Sequence, residues 1–204
     1  MLNALATIPL HTANHVIDPI TGTTLQYDKL IRGPDATAWI QATANEIGCL
    51  TRGVLPDMPS GTDTMHFIPH TAKPPDHKAT YLHIVAAIKP HKAKSKCIHF
   101  TVGGDCVFYA GNVSTPTADL TMIKILLNSV LSTPSAKFMT VDIKDFYLNT
   151  PMTQYEYMCI PIKHIPAVIM SQYNLASLVH NDSVMVEICK GMYGLPQAGV
   201  LANK

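Results

Sequence analysis

Two carboxylates three residues apart, Asp142 near the end of the apolar run from Phe138 to Ile143 and Asp145 just after it, are followed directly by Phe146 and Tyr147. A strand that ends on a carboxylate at the mouth of a cleft suits Mg²⁺. That ion takes one or two carboxylates and leaves its other positions to water and substrate phosphates. The same residues suit a plain turn equally well, because aspartate caps turns through its own side chain. Well downstream stands Lys190-Gly191-Met192-Tyr193-Gly194-Leu195-Pro196-Gln197-Ala198-Gly199, a Gly-Leu-Pro-Gln loop. Gln197 both donates and accepts hydrogen bonds, which fits contact with a sugar or a base edge.

A third group is basic. Lys89, Lys92, Lys94 and Lys96 fall within eight residues between two β-rich runs, Tyr81 to Ile88 and Cys97 to Val102. They read as the tip of a hairpin, either contacting phosphate or simply solvated. Phosphate contacts would make nucleic-acid binding weaken with salt, by a slope of about −0.7 per contact on a single strand. His66, His70, His77, His83, His91 and His99 are irregularly spaced without cysteine or carboxylate partners, so they read as surface residues rather than metal ligands.

The elements that must position these groups are partly legible. Trp39, Ala42, Glu46, Ile47 and Leu50 make one stripe of a helix starting near Asp35, with Gly53 as its stop. Met65 to Ile68 reads as a short strand, and Gly103-Gly104-Asp105 as a turn before a strand from Val107 to Tyr109. Thr115-Pro116 reads as a helix start, a hydroxyl cap before a proline, with Leu120, Ile123, Leu127, Val130 and Leu131 as its buried stripe. Phe138 to Ile143 then reads as a buried strand, Tyr157 to Ile162 and Val184 to Cys189 as further strands, and Pro166 to Leu178 as a helix. Antiparallel hairpins beside long helices indicate an α+β fold.

Composition narrows the function classes. The 204 residues carry 15 basic and 14 acidic side chains, a formal charge of +1, so nucleic-acid binding must come from a local patch. Arg32 and Arg52 are the only arginines, against 10 histidines, although arginine is the better bidentate phosphate donor. The five cysteines are odd in number and scattered, which argues for reduced thiols over a disulfide framework or zinc site. No apolar run approaches the ~18 residues of a membrane span, and the N-terminus lacks a basic start. A soluble, intracellular protein with no membrane association is expected.

Together the two motifs resemble the nucleotide-binding motifs of reverse transcriptases of copia-type retrotransposon polyproteins. Trp39, Ala42, Glu46, Ile47, Leu50, Leu148, Asn149, Met152, Tyr157 and Met158 extend the likeness over residues 18 to 204. The resemblance implies a right-hand polymerase: residues 1–34 as a connecting segment, and 35–204 as the fingers and a partial palm, an antiparallel sheet with packed helices. It implies that Asp142 is a catalytic ligand of Mg²⁺ or Mn²⁺, and that Asp145, Phe146, Tyr147 and Gln197 surround the incoming dNTP. Tyr147 would be the steric gate against a ribose 2′-OH, the group that tells RNA from DNA precursors. It also implies RNA or DNA template–primer as partner, contact with triphosphate or template at Lys89, Lys92, Lys94 and Lys96, the remainder of the Pol polyprotein as a companion, and a cytoplasmic or virus-like-particle location.

Two departures qualify it. The family's Tyr-x-Asp-Asp motif does not occur, and no Asp-Asp pair stands anywhere in the chain. Two-metal phosphoryl transfer needs carboxylates that hold two ions about 3.5–4 Å apart, so this polypeptide alone is expected not to polymerise DNA. Where the family commonly has arginine, near His83, His99, Cys159 and after Gly199, this chain has histidine, cysteine and Val200. Histidine is largely neutral at pH 7, which suggests a decayed copy with weakened phosphate affinity. A non-catalytic nucleic-acid-binding remnant and an unstable product are the alternatives.

Overall fold

The computed structural model describes residues 16–18, 20–90, 93–115 and 118–203. Five strands, β1 (Met65–Ile68), β2 (Ala79–Ile88), β3 (Lys96–Val102), β4 (Pro151–Pro161) and β5 (Ser183–Lys190), form one sheet in the order β1-β5-β4-β2-β3. Three neighbouring pairs are antiparallel, but β2 and β4 run parallel through Ala79–Tyr81 and Tyr157–Cys159. The sheet is therefore mixed rather than wholly antiparallel. The long strand β2 joins its two parts, pairing with β4 at its start and with β3 from Leu82 onward.

Helix α2 (Ala36–Leu50) follows a single turn, α1 (Tyr27–Leu30), and packs on β3. Trp39, Ile47 and Leu50 of its expected stripe are buried, while Ala42 and Glu46 lie on the flank. Strand β3 alternates as a half-buried strand should, with Ile98, Phe100 and Val102 inward. Strand β5, with neighbours on both sides, buries Val184, Met185, Val186 and Ile188. The expected helix from Pro166 to Leu178 is broken in two: α4 (Ala167–Gln172) stops before Asn174, whose φ is +48°, and a 3₁₀ turn follows. Tyr173 ties this break to the end of α2, its hydroxyl donating to Gly53 O (2.6 Å) and accepting from the Arg52 N–H (3.2 Å).

Three expectations fail. Helix α3 (Leu120–Ser132) begins after Asp119, whose carboxylate accepts from Met122 N (2.9 Å) and satisfies a free amide of the first turn, whereas Pro116 of the expected start lies outside the described residues. Its apolar stripe is not buried: Leu120, Ile123, Leu127 and Leu131 are exposed. Phe138 to Ile143 forms no strand and exposes Phe138, Met139, Val141 and Ile143. An apolar run becomes a strand only when a neighbour takes its backbone groups, and none of the five strands pairs with this segment. Val107 to Tyr109 is likewise coil.

One polar anchor has a pH consequence. His164, 16% exposed at its side chain, meets Asp28 Oδ1 through Nε2 (3.1 Å), and Lys163 meets the other oxygen (2.8 Å). Its Nδ1 is buried without a partner. A neutral ring with the proton on Nε2 explains both facts, since Nδ1 is then a bare acceptor rather than an orphaned donor. Burial lowers the His164 pKa, against the opposing pull of Asp28. Because the folded value lies below the unfolded one, protonation favours the unfolded chain. Stability is full above the ordinary histidine range and falls as pH drops through about 6.5. Urea midpoints at pH 7.5 and 5.5 should therefore move apart less in His164→Phe than in the parent chain, and an equal shift would contradict the assignment.

Candidate functional site

Asp145 opens the turn after the failed strand with φ +55°, a left-handed conformation that aspartate tolerates better than most residues. The turn is internally bonded. The Asn149 amide and side chain both donate to Asp145 O (3.0 and 3.1 Å), and Thr150 donates from N to Tyr147 O and from Oγ1 to Phe146 O, each at 3.0 Å. Leu148 is buried, and its carbonyl accepts from Thr64 Oγ1 (3.1 Å). The turn carrying Asp145, Phe146 and Tyr147 is thus held against the sheet.

The Gly-Leu-Pro-Gln loop reaches the same place from β5. Gly191 N donates to Thr150 O (2.8 Å), and a Cβ at Gly191 would stand 2.7 Å from Tyr147 O. The Tyr147 and Tyr193 rings meet edge to face with centroids 5.7 Å apart, and Phe146 lies 5.6 Å from Tyr147. The two motifs picked out in the sequence are neighbours.

Strand β3 holds the other side of this cluster. It is an edge strand, and two of its N–H groups find partners outside the sheet: Phe100 donates to Glu46 Oε1 (3.0 Å) and Val102 to Tyr193 O (2.8 Å). An open edge is covered in this way by a helix side chain and a loop. His99, directly before Phe100, packs edge to face on Tyr193 (6.4 Å), places Nδ1 3.7 Å from Glu46 Oε1, and meets Lys89 Nζ at 3.4 Å. Burial, then the charges of Asp145 and Glu46, raises the Tyr193 phenol above its ordinary value. Burial likewise pushes the nearby Cys49 thiol up to about 11, so it is not a nucleophile at neutral pH.

The remaining candidates are placed differently. Asp142 is exposed on irregular backbone. Asp145 is 3.9 Å from Lys144 Nζ. Among the described residues no group of three histidine, cysteine or acidic side chains is placed to hold a metal ion. Asp142 and Asp145 by themselves do not supply the carboxylates that a two-ion Mg²⁺ or Mn²⁺ site needs. Gln197 is 4% exposed and donates from Nε2 to Glu156 Oε1 (3.1 Å), while its own Oε1 is buried without a partner. Burial raises the Glu156 pKa, with Gln197 opposing. Gln197 thus faces β4 in this arrangement.

Of the tip lysines, Lys89 adjoins the aromatic cluster through His99. Lys94 is paired with Asp57 and Lys96 with Asp35, both at 3.1 Å, and Lys92 lies outside the described residues. Sequence reading missed Glu46 as a partner of the β3 edge; a carboxylate inside an apolar helical stripe was the available signal. It also gave no role to Tyr193, which stands at the centre of the cluster. Among the described residues no helix is long and apolar enough to cross a membrane. No protein-family model, curated protein or solved structure matches this chain.

Proposed function

We propose that this chain is the fingers and first part of the palm of a copia-type reverse transcriptase, an RNA-directed DNA polymerase family. In this reading its 204 residues alone bind template–primer without extending it. The observation that carries the reading is the meeting of two distant motifs: the Asp145–Phe146–Tyr147 turn and the Tyr193 loop share a contact at 5.7 Å. Lys89 at the rim supplies the cationic character that a triphosphate or a nucleic-acid strand needs. Mg²⁺ chemistry belongs to the family and requires carboxylates beyond Asp142. The single exposed Asp142 is what favours the non-catalytic alternative for the chain by itself.

Fluorescence anisotropy with an RNA–DNA hybrid, read across a salt series, tests the binding, and primer extension on the same hybrid with Mg²⁺ or Mn²⁺ tests the chemistry. The expected outcome is salt-sensitive hybrid binding that Asp142→Asn leaves unchanged, with no extension. Extension that disappears in Asp142→Asn would sink the inactive reading and restore the enzyme. Absence of hybrid binding even at low salt would sink the family assignment.

A further inference from the structure

Two histidines far apart in the sequence meet in the fold. The His70 and His180 rings stand with centroids 4.4 Å apart and planes tilted by 35°, and both residues are exposed. His77, His99 and His164 each turn a ring nitrogen toward an acid. Neither ring of the His70–His180 pair, by contrast, has a hydrogen-bond partner among the described residues. The lone pairs that a metal ion would take are therefore free.

The backbone holds both residues in place. His70 opens a 3₁₀ turn, His70–Ala72, directly after Pro69 at the end of β1, and the Ala72 N–H donates to Pro69 O (2.9 Å). His180 opens the turn into β5. Its N–H donates to Ser183 O (2.8 Å), and its carbonyl accepts from Ser183 N (3.1 Å) and Ser183 Oγ (2.9 Å). Asn181 and Asp182 between them have φ of +47° and +54°, the two left-handed positions of a tight hairpin turn. Strands β1 and β5 are paired with Ile68 opposite Met185, which brings the ends of the two turns side by side. Little backbone order is left for a ligand to impose, and that lowers the cost of binding.

The donor type and spacing select the ion. Imidazole suits Zn²⁺, Cu²⁺ and Ni²⁺, whereas Mg²⁺ takes oxygen ligands. With a metal–nitrogen bond of about 2 Å and about 1.1 Å from nitrogen to ring centre, two imidazoles at a right angle have centroids about 4.4 Å apart, and at the tetrahedral angle about 5.1 Å. The observed separation matches the right angle, which square-planar or tetragonal Cu²⁺ and Ni²⁺ adopt with nitrogen ligands. Aiming one nitrogen of each ring at a shared point takes only rotation about χ2, a broad torsion in histidine.

We propose that His70 and His180 together chelate one divalent ion of the Ni²⁺ or Cu²⁺ type, water filling its other positions, so that the ion staples the end of β1 to the turn before β5. The site is independent of the nucleotide-site reading: β1 and β3 are the two outer strands of the sheet, and the Tyr193 cluster lies along β3.

Calorimetric titration of the untagged full chain with Ni²⁺ at pH 7.5 tests this, since free thiols such as Cys106 do not reduce that ion. The expected result is one Ni²⁺ per chain bound more tightly than any further ion. His70→Gln and His180→Gln should each weaken that step about a hundredfold, the gain that a second linked contact brings. The double variant should lose no more than either single one, because one chelate is broken in every case. His66→Gln, on β1 outside the pair, should leave the step unchanged, and Trp39 emission should be the same in all four variants. A parent chain without a distinct tight step overturns the proposal. So do single losses that add up in the double variant, which would mark independent surface imidazoles, an equal loss in His66→Gln, or displacement of Ni²⁺ by equimolar Mg²⁺.

Discussion

Phe100→Ala is expected to lower the unfolding free energy by about 3–5 kcal/mol, the range for deleting a fully buried phenyl ring. Phe100 is 0% exposed, at the middle of β3, opposite Ile84 of β2, in the core that also holds Trp39, Ile47, Ile98 and Val102. The cost should reach the upper part of that range because the site has little freedom to collapse. Its backbone is paired to β2 on one side and held by Glu46 on the other, so the strand cannot slide inward to fill the space. Urea denaturation provides the measurement. A loss of only about 0.5 kcal/mol, typical of surface substitutions, would show that β3 does not pack against α2 as described. Glu46→Gln should cost far less, since an amide oxygen can still accept from the Phe100 N–H.

Gly194→Ala is expected to release the Tyr193 loop from β3. Gly194 has φ +94°, where an L side chain is strained, and its Cβ would stand 2.2 Å from Val102 O and 2.8 Å from Val102 N. Gly104 also approaches closely, its own added Cβ falling 2.1 Å from Gly194 O. The nearest atoms are all backbone, so no flexible side chain can yield. Backbone strain of this kind costs about 1–3 kcal/mol, and losing the Val102–Tyr193 hydrogen bond adds about 1 kcal/mol. Undocking the loop is the cheaper response, and it separates Tyr193 from Tyr147. The signature is local: the Val102 amide should exchange rapidly with solvent while the amides of β5 keep their protection. Unchanged Val102 protection would refute the docking. Under the proposed function, hybrid affinity should fall together with that protection, whereas an affinity unaffected by undocking would separate the loop from binding.

Periodicity carried the reading furthest where an element had a partner near in sequence or an unambiguous face. Trp39, Ile47 and Leu50 marked the inner side of α2, and the hairpin β2–β3 followed from two β-rich runs around a polar tip. The same reasoning misjudged α3 and Phe138 to Ile143, and the cause is physical. An apolar stripe states that a surface is better off covered; it does not say that a cover exists within the chain. Asn174 shows a smaller limit of the same kind: a left-handed residue interrupts a pattern that helical spacing alone would continue.

For the candidate site, residue types and order by themselves determined which segments bear chemistry: Asp142 to Tyr147, the loop through Tyr193 to Gln197, and the lysines from Lys89 to Lys96. Only the tertiary structure decided how they are deployed. It joined Tyr147 to Tyr193 and drew in Glu46 and His99 through the open edge of β3. It engaged Gln197 with Glu156, and Lys94 and Lys96 with Asp57 and Asp35. It left Asp142 on unpaired backbone. Local sequence fixes what a side chain can do, but its partners come from strand order and from which backbone groups a sheet leaves unfilled. Those are properties of long-range pairing that no short motif contains.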